Sequence, residues 1–510
     1  MKSMQLLRLA AALAVTAAFH SHALADVTGV AVISSSPYGN FRGMAFTRHE
    51  LRVEGQLVPE REAIGDLAKA KRNASGSVDY ATRVTVVAPV SGGRGTLLVD
   101  IPNRGRPIAA GLLNGPGVPI GQWQPGNGFL HDEGFAVAAI AWELGHGIEL
   151  PTVAGADGKP LFVEEAALSI VRDVAEFLKK SPSELNPLAG KVQRAIGFGY
   201  SQTGRFLKSF LLKGYNHTAS GPLFEGLHIF GAMSGGIQLR TLAGPASGAG
   251  QIPTFEDPEF RGVAEEPLAV AQIAARAERS ASRPPRMVFV NTTTDYFSLR
   301  ASLGRTGGSG TQDLPLPGWI RVYDVAGASH ALLPGRGNCT HKFAELDWHP
   351  VLRSTMLALD RWIATGEQPP DSVLMPLQAA ATGSQALMAP KHLQGAVVQV
   401  PVLDADGNAR GGIRLPELEV PLGSHAVQNP PLNFLCSLGA GYIPFKVTAA
   451  ERSASGDARP SVAERYRDAD DYAKRVEAAA RALQEQRFLL PGDAAAIVKR
   501  TAAVDVFGKR

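Results

Sequence analysis

Residues Gly134–Trp142 (GFAVAAIAW) form a nearly continuous apolar run. A strand that is apolar on both faces must be covered on both faces, which is the situation of a strand inside a parallel sheet. Val192–Tyr200 reads the same way. Between them, Ala167, Ile170, Val171, Val174, Phe177 and Leu178 recur at helical spacing within Glu164–Lys180. That segment starts with acidic residues and ends in Lys179-Lys180, as the helix dipole favours. A second helix is predicted over Thr203–Lys213, and strands over Leu227–Met233, Met287–Asn291 and Ile320–Val325. His349–Thr365 is amphipathic. This alternation predicts an α/β fold, with a mostly parallel central sheet and helices on both faces.

The chain has 510 residues, more than one domain usually holds. Residues 28–101 look β-rich, with runs at Thr82–Ala88 and Gly95–Ile101. After Pro369-Pro370 the character changes. Two short β-like runs within 396–421 flank the turn signal Asp406-Gly407-Asn408, and Ser461–Arg487 is a charged helical stretch. Residues 238–284 are irregular and read as an inserted loop or cap. The expected organisation is a signal peptide over 1–25 and a β-rich N-terminal extension over 26–99. An α/β core follows over 100–366, and a C-terminal addition over 367–510. Both flanks are expected to pack on the core rather than fold alone.

Export follows from the N-terminus. Lys2 and Arg8 precede an apolar run, Leu9–Phe19, that is too short to span a bilayer, and Ala23-Leu24-Ala25 fits a small-x-small cleavage site. The processed chain would be periplasmic or secreted, with no stable membrane insertion. An exported chain with only two cysteines, Cys339 and Cys436, favours one disulfide between them. Net charge is +4, from 51 basic and 47 acidic residues, and gives no reason to expect a nucleic-acid partner. The sequence leaves the oligomeric state open.

The chemistry centres on Gly199-Tyr200-Ser201-Gln202-Thr203-Gly204-Arg205, where a predicted strand runs straight into a predicted helix. A serine on such a turn is exposed at the sheet edge, and the helix N-terminus beside it favours an oxyanion. The usual G-x-S-x-G is altered here: Thr203 holds the second glycine position and Gly204 comes one later. Serine needs a base to become a nucleophile. His330, in Ala326-Gly327-Ala328-Ser329-His330, follows a late strand and suits that role. Asp295, after Met287–Asn291, can orient the histidine. The order Ser201, Asp295, His330 is that of α/β-hydrolases.

The oxyanion would be met by the amide of Gln202 and by the loop Asn103, Arg104 and Gly105 after an early strand. Trp142 and Glu143, at the end of a central strand, are candidate substrate-binding residues. So is Arg205, which could pair with a carboxylate of the substrate or of the protein. Asp404-x-Asp406-Gly407 lacks the glycine and the final acid of a calcium loop and reads as a turn. No metal or organic cofactor is implied.

These residues resemble an exported family of "alpha/beta hydrolase domain-containing" proteins. Gly199–Arg205 resembles its G-[FY]-S-Q-[ST]-G-R elbow. Asn291-Thr292-Thr293-Thr294-Asp295-Tyr296-Phe297 resembles its N-x-S/T-x-E-Y-W segment, with Asp for the usual Glu, and Ala326–His330 resembles its A-G-x-x-H. Val400–Pro416 and Gly456–Tyr466 are similar to two further blocks, and Val427-Gln428-Asn429 departs from the family's G-W-N. The elbow is also similar, more distantly, to that of glucuronoyl methylesterases. The resemblance spans nearly all of the processed chain and implies a hydrolase whose C-terminal region belongs to the same unit. Together, the residues predict an exported serine hydrolase that cleaves a small-molecule carboxylic ester or lactone through an acyl-enzyme. The alternatives are a non-catalytic binding protein on the same fold, or an acyltransferase or peptidase using the same triad.

Overall fold

The computed structural model describes residues 26–504 apart from 63, 220, 238, 245–267, 281–283, 308–309, 382–396 and 432. The expected signal peptide, and most of the expected cap over 238–284, lie outside the described residues. The part of 238–284 that is described includes a helix, Val270–Ser280.

A ten-stranded sheet runs through the molecule. Its strands are β1 (Val27–Phe41), β2 (Met44–Leu57), β3 (Val78–Pro89), β4 (Thr96–Asp100), β5 (Ala136–Ile140), β6 (Ile148–Glu149), β7 (Arg194–Tyr200), β8 (Gly226–Phe230), β9 (Arg286–Thr292) and β10 (Ile320–Val325). The order is β1-β2-β3-β5-β4-β7-β8-β9-β10, with β6 also on β3. From β5 to β10 the pairing is parallel, whereas β1, β2 and β3 join antiparallel. The strands before residue 100 are therefore hydrogen-bonded members of the same sheet. β4, β5 and β8 are buried at every position: β5 is apolar throughout, while β4 also buries Thr96 and Asp100 and β8 buries His228.

Helices cover the sheet. α1 is Ala109–Leu113, α2 Ala166–Lys180, α3 Gln202–Leu212, α4 Val270–Ser280, α5 Thr293–Ser298 and α6 His349–Thr365. In α2 the apolar stripe read from the sequence is buried in full. Each large apolar side chain removed from water there contributes roughly 1.5–3 kcal/mol. No helix of the described residues is long and apolar enough to cross a membrane.

The C-terminal region packs on the same core. α7 is Phe434–Gly439, α8 Ala469–Glu485 and α9 Pro491–Ala502. Phe488, Leu489 and Ile497 join the main apolar cluster, and Arg353 of α6 forks onto Asp493, 2.7 and 3.0 Å away. A smaller cluster gathers Val420, Phe445, Val462, Tyr466, Tyr472 and Val476. The charged stretch Ser461–Arg487 is not one helix. A short helix ends at Arg465, and Asp468, in extended backbone, caps α8 by accepting the Asp471 amide. The two runs flanking Asp406–Asn408 pair with each other close to the turn: Leu403 and Ala409 form an antiparallel bridge, the Asp404 amide donates to Asn408 O at 2.8 Å and the Arg410 amide to Val402 O at 2.9 Å, and beyond that they part. Gln399–Pro401 pairs with Leu377–Ala379, and Ile413 bridges to Val325 at the open edge of β10. An unpaired parallel edge carries free amides and carbonyls, and this later segment satisfies some of them. The turn itself is present: Asp404 accepts the amides of Asp406 and Asn408, and Asp406 pairs with Arg465.

Cys339 and Cys436 form a disulfide with Cα atoms 5.7 Å apart. It packs with Phe343 and Leu333. At the other end of the sheet, the β1–β2 hairpin closes around His131. Tyr38, Phe41 and Phe46 lie with ring centroids 4.9, 4.7 and 5.1 Å from the imidazole. Burial without a charged partner pushes the pKa of His131 down to about 4, so it stays neutral in the fold.

Two outcomes follow. Because the folded pKa of His131 is depressed below the ordinary value near 6.5, its contribution is complete above pH 6.5 and is lost as pH falls towards 4. His131→Phe is expected to remove a pH dependence of about 3 kcal/mol over that window, read by denaturant unfolding at a series of pH values. Cys436→Ser is expected to cost roughly 2–5 kcal/mol in the same assay, and added reductant should destabilise the wild type but not the variant.

Candidate active site

Strand β7 delivers Ser201 at its C-terminal end, and α3 begins at the next residue. Ser201 has φ 54° and ψ −115°, a conformation that costs a non-glycine residue free energy and persists only when its surroundings hold it. Three contacts do so. The Ser201 amide donates to Phe230 O at 2.8 Å, the Arg205 amide donates to Ser201 O at 3.1 Å, and Thr203 Oγ1 accepts the Tyr200 amide at 3.0 Å. The last contact explains the altered elbow: threonine at the second glycine position ties the turn to its own strand. The close approach falls on Gly199, where a Cβ would lie 2.5 Å from Thr203 O, and on Gly204, where it would lie 2.5 Å from Ala232.

His330 comes from the loop after β10, and Asp295 from the first turn of α5, which follows β9 directly. Nδ1 of His330 lies 2.6 Å from Oδ1 of Asp295, and both residues are almost fully buried. The other oxygen of Asp295 accepts the Thr292 amide at 2.7 Å, closing a capping box at the start of α5. The aspartate therefore caps its helix and meets the histidine at once, one oxygen for each. The preceding threonines serve the opposite loop. Thr293 Oγ1 accepts the Gly327 amide at 2.8 Å and Thr294 Oγ1 accepts the His330 amide at 2.6 Å.

The structure adds residues that sequence reasoning did not single out. Tyr200 stacks on the His330 ring with centroids 4.9 Å apart, and its hydroxyl donates to His330 O at 2.7 Å. Trp348 donates from Nε1 to Ser329 O at 3.0 Å. Gly231, at φ +58°, follows Phe230, the residue that accepts the Ser201 amide. A Cβ on Gly231 would lie 2.8 Å from the imidazole, so Ser201 and His330 are brought to the same edge at the end of β8. Asn291 and Tyr296, on either side of Asp295, both donate to Asp324 of β10, at 3.1 Å and at 2.8 and 2.9 Å. Burial raises the pKa of Asp324, opposed by Arg305 and by these donors. Tyr200, Asn291 and Tyr296 sit inside motifs visible in the sequence, but nothing in the sequence pairs them with residues 28–130 positions away.

The early loop lies against the elbow. Asn103 Nδ2 donates to Tyr200 O at 2.8 Å, and Gly105, at φ +69°, packs against His146. The amides are partly committed elsewhere. The Asn103 amide donates to Arg106 O at 2.8 Å and the Arg104 amide to Gln202 Oε1 at 3.1 Å. Of that loop, only the Gly105 amide has no hydrogen bond in the described residues that would compete with an oxyanion. Gln202 also donates from Nε2 to Glu143 at 3.0 Å, so its side chain bridges the two loops. Trp142 is 3% exposed; its indole donates to Pro102 O at 2.8 Å and packs on Phe206. That burial and that bond make it a support for the 102–106 loop. Arg205 is half-buried one turn into α3.

Comparison with known proteins gives three results. No curated protein matches the chain. Among solved structures, a CE15 glucuronoyl esterase from Teredinibacter turnerae T7901 aligns at 15% identity over 59% of this chain and 74% of its own, with a TM-score of 0.29. Acetyl xylan esterase 1 from Thermoanaerobacterium sp. aligns at 11% over 52% and 72%, with a TM-score of 0.25. The rice cell wall degrading esterase LipA from Xanthomonas oryzae aligns at 10% over 59% and 91%, with a TM-score of 0.28. Likeness at this level carries no argument about chemistry. The family model for the alpha/beta hydrolase domain matches residues 143–499, well over half of the chain, and includes Ser201, Asp295 and His330. The chain belongs to the alpha/beta hydrolase domain family.

Proposed function

We propose that this protein is an exported serine hydrolase that cleaves a small-molecule carboxylic ester or lactone. The observation that carries the reading is the buried Asp295–His330 pair, 2.6 Å apart, at the strand end where Ser201 is held at positive φ. In this reading His330 removes the proton from Ser201 Oγ as the oxygen attacks the carbonyl carbon. The amides of Gln202 and Gly105 receive the developing oxyanion. Collapse expels the alcohol, which takes the proton back from His330, and leaves an acyl-serine. Water, deprotonated by His330, then attacks the acyl carbon and releases the acid. Asp295 keeps the imidazole oriented and stabilises its protonated form. The chemistry draws on no metal or organic cofactor. Export rests on the residues of 1–25 and is supported by the Cys339–Cys436 disulfide, a bond favoured in oxidising compartments.

Two experiments test the reading. A fluorophosphonate probe is expected to label Ser201, and Ser201→Ala to lower p-nitrophenyl ester turnover by roughly three orders of magnitude or more without a change in circular dichroism. Wild-type turnover in that variant would sink the assignment of Ser201 as nucleophile, and no labelling across pH values would leave a binding protein on a hydrolase fold. Gly231→Ala places a methyl group against the imidazole. It is expected to lower kcat about tenfold or more with KM little changed, because it displaces the base and not the substrate.

A further inference from the structure

A cavity of about 530 Å³ lies within the C-terminal region, on residues that no step of the proposed reaction uses. Its size falls in the range of small-molecule sites, about 300–1,000 Å³. The walls are mostly apolar: Phe343, Leu346, Leu422, Tyr442 and Tyr472 all contribute, with Val504 at the rim. Lys342 and Glu345 pair across the mouth at 2.9 Å, and Arg500 pairs with Glu417, so the charged groups largely neutralise one another.

Two polar groups in this lining stand out. The first is Nδ1 of the His425 imidazole, which is buried and has no hydrogen-bond partner among the described residues. Burial pushes the His425 pKa down to about 4, so the ring stays neutral and one of its nitrogens keeps a lone pair. Glu417 uses one carboxylate oxygen for Arg500, while Oε2 is likewise buried and unpartnered. A buried acceptor left without a donor costs stability, and a ligand that brings a donor recovers it. The tilted ring of Tyr442, 4.8 Å from the His425 ring, supplies a flat apolar surface beside the acceptors.

We propose that this cavity is a second, non-catalytic site that binds an uncharged molecule with an apolar body and a hydroxyl donor, a phenol being the simplest form. The apolar walls hold the ring, and the hydroxyl donates to Glu417 Oε2 or His425 Nδ1. A polyol would leave most of its hydroxyls facing apolar walls, and a carboxylate or phosphate would meet the unpaired Oε2 with like charge. The site does not depend on the catalytic reading, because none of its residues belongs to the Ser201, Asp295 and His330 group.

Calorimetric titration of the full-length protein with phenol and with anisole, its methyl ether, tests this. Phenol is expected to bind at least about tenfold more tightly, the value of one hydrogen bond to a charged or buried acceptor. Ser201→Ala should bind phenol as the wild type does, which separates this site from the catalytic one. Glu417→Gln should narrow the preference for phenol, and Leu422→Trp should abolish binding by filling the cavity. Val504→Trp, at an exposed position on the rim, gives the same blockade if Leu422→Trp fails to fold. Equal binding of phenol and anisole, absence of phenol binding, or binding that survives a tryptophan at 422 or 504 overturns the proposal.

Discussion

The site depends on one short contact between a helix and a loop. Asp295 stands in the first turn of α5 after β9 and His330 in the loop after β10, and they meet at 2.6 Å with both side chains almost fully buried. A buried carboxylate is costly unless its oxygens are hydrogen-bonded. Here one oxygen accepts the backbone amide of Thr292 and the other faces the imidazole. The same residue thus caps a helix and orients the His330 imidazole, and the surrounding contacts keep those two partners in place.

That bracing comes from three directions. From below, β9 and β10 are adjacent parallel strands in register, so their C-terminal loops emerge side by side. From the elbow, Tyr200 stacks on the imidazole and holds its backbone carbonyl. From the C-terminal region, α7 accepts the Ser298 hydroxyl through Ser437 O at 2.9 Å and the Ala331 amide through Leu438 O at 3.4 Å. The Cys339–Cys436 disulfide ties this short helix to the segment just past His330. A region more than a hundred residues after the histidine therefore supports both the acid-bearing helix and the histidine loop. This is a physical reason for the C-terminal addition to remain part of one folding unit.

A second theme is the use of buried polar groups as cross-ties. Asp324 gathers Asn291, Tyr296, Arg305 and the Met375 amide. It links β9, β10 and the chain beyond α6 at a point six positions before His330. Both Asp324 oxygens are satisfied, which makes this a stiff cross-tie even though Asn291 Oδ1 has no hydrogen-bond partner among the described residues. The strained backbone at Ser201 needs that rigidity, since a turn in a sparsely populated conformation relaxes when its neighbours can move.

Much of this was legible in the residues. The continuous apolar runs of β5 and β7 require cover on both faces, and the stripe of α2 has one face to bury. Ser201, Asp295 and His330 were identifiable because each follows a predicted strand, and side chains at strand ends of one parallel sheet converge at one edge. Local sequence left out where tertiary partners divide an element. Ser461–Arg487 is helical but is cut by the Asp468 cap, and the runs around Asp406 pair with each other only near the turn, their outer parts joining Leu377–Ala379 and Val325. The loop Asn103–Gly105 lies beside the elbow, and its Asn103 and Arg104 amides are committed to Arg106 O and Gln202 Oε1. Trp142 turned out to be buried under that loop. Sequence alone determined the alternation, the order of the three chemical residues and the two cysteines, because those depend on periodicity and position along the chain. Only the tertiary structure decided which amides stay free, which oxygen of Asp295 meets His330, and that Tyr200, Gly231 and α7 hold the histidine, because those are contacts between segments far apart in sequence.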